Sequence, residues 1–158
     1  MSRRILTGIT TTGIPHIGNY FGAIKPALQL SSEKNVSSYF FLADLHAIIK
    51  QTNPNEIKVS VNEVALAWLS SGLDPEKSFF YRQSNIPEIT ELAWILSCVT
   101  AKGLINRSHA YKAAVQLNHD HTKDEDKGIS MGLFPYPVLM AADILMFNSS
   151  HVPVGKDQ

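Results

Sequence analysis

In the stretch Gly13-Ile14-Pro15-His16-Ile17-Gly18-Asn19, two glycines flank residues able to do hydrogen-bond chemistry. Glycine permits a tight backbone path, and His16 and Asn19 bring side-chain donors to it. An apolar run, Ile5-Leu6-Thr7-Gly8-Ile9, leads in, and a helix-compatible run from Tyr20 to Leu30 leads out. A glycine-punctuated turn from strand to helix gathers backbone N–H groups and a positive helix end at one point, which suits a phosphate. The pattern is neither a Walker loop, which ends in Gly-Lys-Ser/Thr, nor GxGxxG.

Asp143 is the next group of interest. It sits in Val138-Leu139-Met140-Ala141-Ala142-Asp143-Ile144-Leu145, where a carboxylate must find a donor or bear the cost of desolvation. A basic side chain of the same helix or a polar group of a ligand would serve. Asp44-Leu45-His46 follows the apolar run Tyr39 to Ala43, at the strand end where open α/β sheets place ligands. His46 reads equally as a substrate contact or as a structural histidine. His119-Asp120-His121 matches no metal-ligand spacing and supplies too few ligands, so it reads as solvated loop and no residue is assigned to a metal.

These residues need a frame. Residues 4–9, 39–43 and 78–81 are predicted strands, the second buried on both faces as in parallel sheets. The helix after the first turn has Phe21, Ile24, Leu28 and Leu30 for an inner face, and Pro26 should kink or divide it. Asn53-Pro54-Asn55-Glu56 is a helix start, with a capping Asn, Pro at the first position and Glu at the third. Ile57, Val61, Val64, Ala65, Trp68 and Leu69 follow at helical spacing, and Gly72 is the stop. Pro87-Glu88 opens a helix with Leu92, Ile95, Leu96 and Val99 on one face and Gly103 at its end. Asn118 to Gly128 lacks large apolar residues and reads as a mobile surface loop. Pro135 and Pro137 begin a further helix, and His151 to Gly155 a last short strand and turn. Strand–helix alternation predicts an α/β fold with a doubly wound, Rossmann-like parallel sheet, as one domain over 1–158.

The 158 residues are 44% hydrophobic and 18% charged, a globular composition with room for a core. Lys+Arg and Asp+Glu both number 14, so no basic field announces a nucleic-acid partner. The one cysteine, Cys98, excludes an internal disulfide. With no secretory signal and no run of membrane-spanning length, the expected location is the cytoplasm.

Pro15-His16-Ile17-Gly18-Asn19 resembles the HIGH signature of class I aminoacyl-tRNA synthetases. The longer form, Thr12-Gly13-x-x-His16-Ile17-Gly18-Asn19-Tyr20, is similar to the tryptophanyl branch in its bacterial form. Leu133 to Leu145 looks like that branch's amino-acid pocket helix, and Val152-Pro153-Val154-Gly155-Lys156-Asp157-Gln158 matches its Val-Pro-Val-Gly-x-Asp-Gln. The stretches Trp68 to Pro75 and Gln83 to Glu88 fit as well, so the resemblance covers the chain. It implies activation of tryptophan by ATP, with magnesium, and transfer to tRNA(Trp), in a homodimer. His16 and Asn19 would act on the triphosphate and its transition state. Thr10, Thr11, Thr12, Gly18, Gly155, Lys156 and Asp157 would hold the nucleotide. Asp143 would accept the indole N–H, the only strong polar handle of that side chain. Met140 would pack on the indole, Tyr136 would hold the α-amino group, and Gln158 and His46 would reach the amino acid.

The family usually has Gln-Pro where this chain has Thr10-Thr11, so contacts of that Gln side chain are not carried over. The chain also stops before the family's KMSKS loop and helical anticodon-binding region. The expectation is therefore an N-terminal catalytic portion, weak or inactive alone. A tyrosyl-tRNA synthetase and a non-catalytic fragment that binds ATP or amino acid are the alternative readings.

Overall fold

The computed structural model describes residues 3–121 and 123–153. The backbone forms two compact units where the sequence reading draws one domain. One runs to Pro87 and resumes at Ile144; the other is Glu88–Asp143.

The first unit is built on a parallel sheet. Strands β1 (Arg3–Thr10), β2 (Val36–Ala43) and β3 (Phe79–Arg82) lie in the order β1-β2-β3. The register pairs Thr10 with Ala43 and Leu42 with Arg82, so the carboxyl ends lie side by side. On the far side of β1, His151 forms a parallel bridge with Ile5. Leu6 N–H donates to the His151 carbonyl at 3.0 Å and His151 N–H to the Arg4 carbonyl at 3.1 Å. Chain order thus reverses at β1, which makes its carboxyl end the switch point of a doubly wound sheet. Among the described residues the expected last strand is this bridge alone; Val154 and Gly155 lie outside them.

Between β1 and β2 run α1 (Ile17–Asn19), a π turn (Tyr20–Ile24) and α2 (Lys25–Ser31). Pro26 stands where the π turn gives way to α2; Ile24 and Lys25 keep helical dihedrals, so the run from Ile17 to Ser31 changes its hydrogen-bond spacing there without breaking. In the π turn Lys25 N–H donates to the Tyr20 carbonyl, five residues back. The wider turn takes Phe21 off the inner face, and Phe21 is exposed while Ile24 and Ala27 are buried.

After β2 come α3 (Asp44–Ala47) and α4 (Pro54–Ser70). Asn53 caps α4, its side chain accepting Asn55 N–H at 3.0 Å and donating to Glu56 at 3.2 Å. The other end closes on Gly72, at φ +101°. Gly72 N–H reaches the Leu69 carbonyl at 3.1 Å and Leu73 N–H the Trp68 carbonyl at 3.2 Å, the paired bonds of a Schellman stop. Val61, Val64 and Trp68 are buried, whereas Leu69 is exposed, one helical step past that stripe.

Alternation along β2 puts apolar side chains on both faces. Phe40 and Leu42 join Ile9, Ile24, Ala27, Val61, Val64, Trp68 and Leu73 in one core. Phe41 and Ala43 join Leu6 in the other, with Ile144 and Phe147 packed against them. Gly8 pairs with Phe41 across the sheet, and a Cβ there would run into the Phe41 ring.

A 3-10 turn (Gln83–Asn85) leads from β3 to α5 (Pro87–Val99). Ile95 and Val99 are exposed, contrary to the inner face drawn from their spacing, and so is Trp94 at 72%. Helical spacing marks an apolar stripe without saying what covers it. Gly103 does not end α5 but lies inside α6 (Lys102–Ile105).

The second unit continues with α7 (His109–Asp120) and the start of α8 (Tyr136–Met146). The segment expected as loop from Asn118 therefore begins as the last turn of α7. Asn118 is buried, and its Nδ2 donates to the Glu125 and Lys127 carbonyls at 2.8 and 2.9 Å. Within this unit Tyr111 meets the Phe134 ring edge-on at 5.0 Å. Desolvation, and then the Asp126 and Glu125 carboxylates, push the Tyr111 hydroxyl up from its ordinary value. No helix among the described residues is long and apolar enough to cross a membrane.

Candidate active site at the carboxyl end of the sheet

The chain leaves β1 at Thr10 and turns before α1. Gly13, at φ +145°, takes a backbone conformation that side-chain-bearing residues avoid. The turn walls a cavity of about 130 Å³ lined by Ile9, Thr10, Thr12, Gly13, Ile14, Pro15, His16, Asn19 and Val64. That is smaller than a site for a whole drug-sized ligand. Of the expected nucleotide contacts, Thr10, Thr12 and Asn19 line it, as does His16. Thr11 turns inward: it is fully buried and its hydroxyl has no hydrogen-bond partner among the described residues.

His16 and Asn19 lock each other. The His16 N–H donates to Asn19 Oδ1 at 2.9 Å, and Gly18 N–H donates to His16 Nδ1 at 3.0 Å. This is a capping box with histidine in the role usually taken by Ser or Thr. Because Nδ1 accepts, the neutral ring carries its proton on Nε2. The Asn19 amide, its oxygen engaged, keeps Nδ2 as a donor. The Gly18 N–H itself is spent on His16. The residues lining the cavity thus bring an imidazole N–H, an amide N–H and two threonines, a set suited to anionic oxygens.

His46 lies in α3, at the same edge of the sheet, and is buried. Two neighbours hold its segment. Gln83, fully buried, accepts Leu45 N–H at 3.2 Å and His46 N–H at 3.4 Å on Oε1. In return the buried Asp44 carboxylate accepts Ser84 N–H at 3.0 Å and the Ser84 hydroxyl at 2.6 Å, and pairs with Arg82 Nε.

Tyr136, Met140 and Asp143 fall at i, i+4 and i+7 of α8, on one face. Asp143 is 1% exposed, while Met140 is exposed. Gly155, Lys156, Asp157 and Gln158, the remaining expected contacts, lie outside the described residues.

Residues 2–158 match the family of class I tRNA synthetases (W and Y). The chain belongs to that family. A tryptophan–tRNA ligase of Pseudomonas putida is 62% identical over all 158 residues. The chain spans about a third of the length of the curated relatives it matches, 35% for that one. The crystal structure of tryptophanyl-tRNA synthetase from Campylobacter jejuni superposes with a TM-score of 0.86 at 43% identity, covering all of this chain and 46% of that one. The same enzyme complexed with ADP and tryptophan gives 0.83 at 44% identity, over 98% of this chain and 46% of that one.

For a class I synthetase chain, the HIGH-like segment is thus more than a row of ligand donors. The sequence reading treats His16 and Asn19 as parallel donors; the structure makes each the other's support. Gln83, Arg82 and Ser84 also shape this edge, which residue types alone did not single out. The available signal was a run of polar residues at the end of the third strand, opposite Asp44 across the sheet.

Proposed function

We propose that the chain is the N-terminal catalytic part of a tryptophan–tRNA ligase. It activates L-tryptophan with ATP, accompanied by Mg2+, and the tryptophanyl group then passes to tRNA(Trp). The observation that carries this is the His16–Gly18–Asn19 lock beside a small cavity at the switch point, in a chain 62% identical to a tryptophan–tRNA ligase. Identity at that level over the full chain favours tryptophan over the tyrosine of the sister branch.

In this reading the tryptophan carboxylate attacks the α-phosphorus and pyrophosphate leaves. The protein contributes position and charge stabilisation. His16 donates from Nε2 to the phosphate oxygens, and Asn19 holds His16 while donating from Nδ2. Thr10 and Thr12 line the nucleotide, the helix end near Gly18 helps at the phosphates, and Thr11 supports the turn from inside. Gly155, Lys156 and Asp157 complete the nucleotide contacts. Asp143 takes the indole N–H, Met140 packs on the ring, and Tyr136, Gln158 and His46 contact the amino acid. The exposed Trp94, Ile95 and Val99 face of α5 supports a homodimer, and the chain works in the cytoplasm.

The test is amino-acid-dependent pyrophosphate exchange by the full-length enzyme. Exchange with tryptophan and not with tyrosine is expected. Exchange driven by tyrosine, or by neither, would remove the assignment.

A further inference from the structure

Gln83 makes its two bonds at a place where the fold leaves donors stranded. The β2–β3 ladder ends at the Leu42–Arg82 pair. Beyond it α3 begins, and the N–H groups of Leu45 and His46 lie in its first turn, where no carbonyl of the helix can serve them. The Gln83 side chain, reaching across from the end of β3, accepts both. Asp44 returns the tie by accepting Ser84 N–H and Oγ–H. Each strand end therefore holds the backbone of the other through a buried side chain.

A tie of this kind fixes whatever the α3 segment carries. That segment carries His46, buried, at the carboxyl edge where Thr10 and Ala43 pair. Building on the amino-acid site proposed above, we propose that Gln83 is a positioning residue for the amino-acid substrate: through the His46 backbone N–H it sets where the imidazole stands, without touching substrate itself. Asp44 and Ser84 hold Gln83 in turn by fixing the 3-10 turn that presents it.

The experiment uses the full-length enzyme. Gln83→Met removes the acceptor at nearly constant volume, and Gln83→Glu retains an acceptor oxygen. Gln83→Met should raise KM for tryptophan about tenfold and leave KM for ATP unchanged, the mark of a displaced group that contacts one substrate only. Gln83→Glu should restore most of that loss. In a His46→Ala background Gln83→Met should change KM for tryptophan no further, since the group it positions is gone. If Gln83→Met does not fold, Gln83→Asn draws the acceptor back by one methylene and is read the same way.

A folded variant with a lowered Tm and both KM values intact would overturn the inference, leaving Gln83 a plain structural tie. Additive effects of Gln83→Met and His46→Ala would overturn it too. The substrate assignment fails separately. An enzyme that prefers another amino acid refutes tryptophan, while the same KM ratios, taken with the preferred amino acid, still decide the role of Gln83.

Discussion

The imidazole of His16 lies directly over Gly18: its Nδ1 accepts the Gly18 N–H at 3.0 Å, and a Cβ on residue 18 would stand 2.8 Å from its Cε1. Glycine at this position is required by the ring rather than by a special backbone angle. The contact fixes the tautomer of His16 and the direction of its remaining N–H in one stroke.

Gly18→Ala should therefore move the ring and little else. The atoms in its way belong to a side chain that can swing, so Tm should shift by only a degree or two. Adenylate formation should fall by about 10- to 100-fold, the usual consequence of a catalytic group misplaced by about 1 Å. Thermal melts and pyrophosphate exchange on the full-length enzyme, measured together, check both halves.

His16→Ala removes the proposed phosphate donor itself. A hydrogen bond made mainly to the transition state lowers the rate without weakening ground-state binding. Single-turnover activation should slow by about 100-fold, a loss typical of one oxyanion donor, while the equilibrium affinity for tryptophan stays within about twofold of the parent, as expected for a purely transition-state contact. Equal losses in rate and affinity would contradict the phosphate role.

Asp143→Ala should act the other way round. Losing the acceptor proposed for the indole N–H should cost about 1.5–3 kcal/mol of tryptophan affinity, and ATP binding should be untouched. Titration calorimetry with tryptophan, and with an N-methylindole analogue that lacks the donor, gives the contrast. The analogue should discriminate poorly between parent and variant.

Gly8→Ala tests the sheet. A methyl group there collides with the Phe41 ring on the paired strand, and overpacking of this kind costs about 1–3 kcal/mol. Urea unfolding should show it, and adding Phe41→Leu should recover part of the loss.

Asn118→Ala should release the turn that follows α7, because that amide donates to both the Glu125 and Lys127 carbonyls. Hydrogen exchange at Lys127 and Ile129, whose N–H groups bond within the same turn, should accelerate, with the strands of the sheet unaffected.

Much of this was legible from residue types. Asn53-Pro54 and Gly72 marked both ends of α4 because caps and stops are local chemistry. Tyr39 to Ala43 read as a strand buried on both faces because nothing polar interrupts it. Periodicity failed where the partner was not local. Phe21, Leu69, Ile95 and Val99 have the spacing of core residues, yet what they meet depends on a widened turn or on elements far along the chain. Likewise His16 and Asn19 could be picked out as polar, but not as mutual supports. Asn118 looked like loop because its two acceptors lie seven and nine residues on.

The π turn between α1 and α2 holds one residue more than an α-helix would use to connect the same two ends. An ordinary α-helix drawn straight through the same stretch would hold Pro26 in its interior, where the ring presses on the carbonyl four residues back at a cost of about 3 kcal/mol. Removing one residue within Phe21 to Ala23 should therefore lower Tm rather than pass unnoticed.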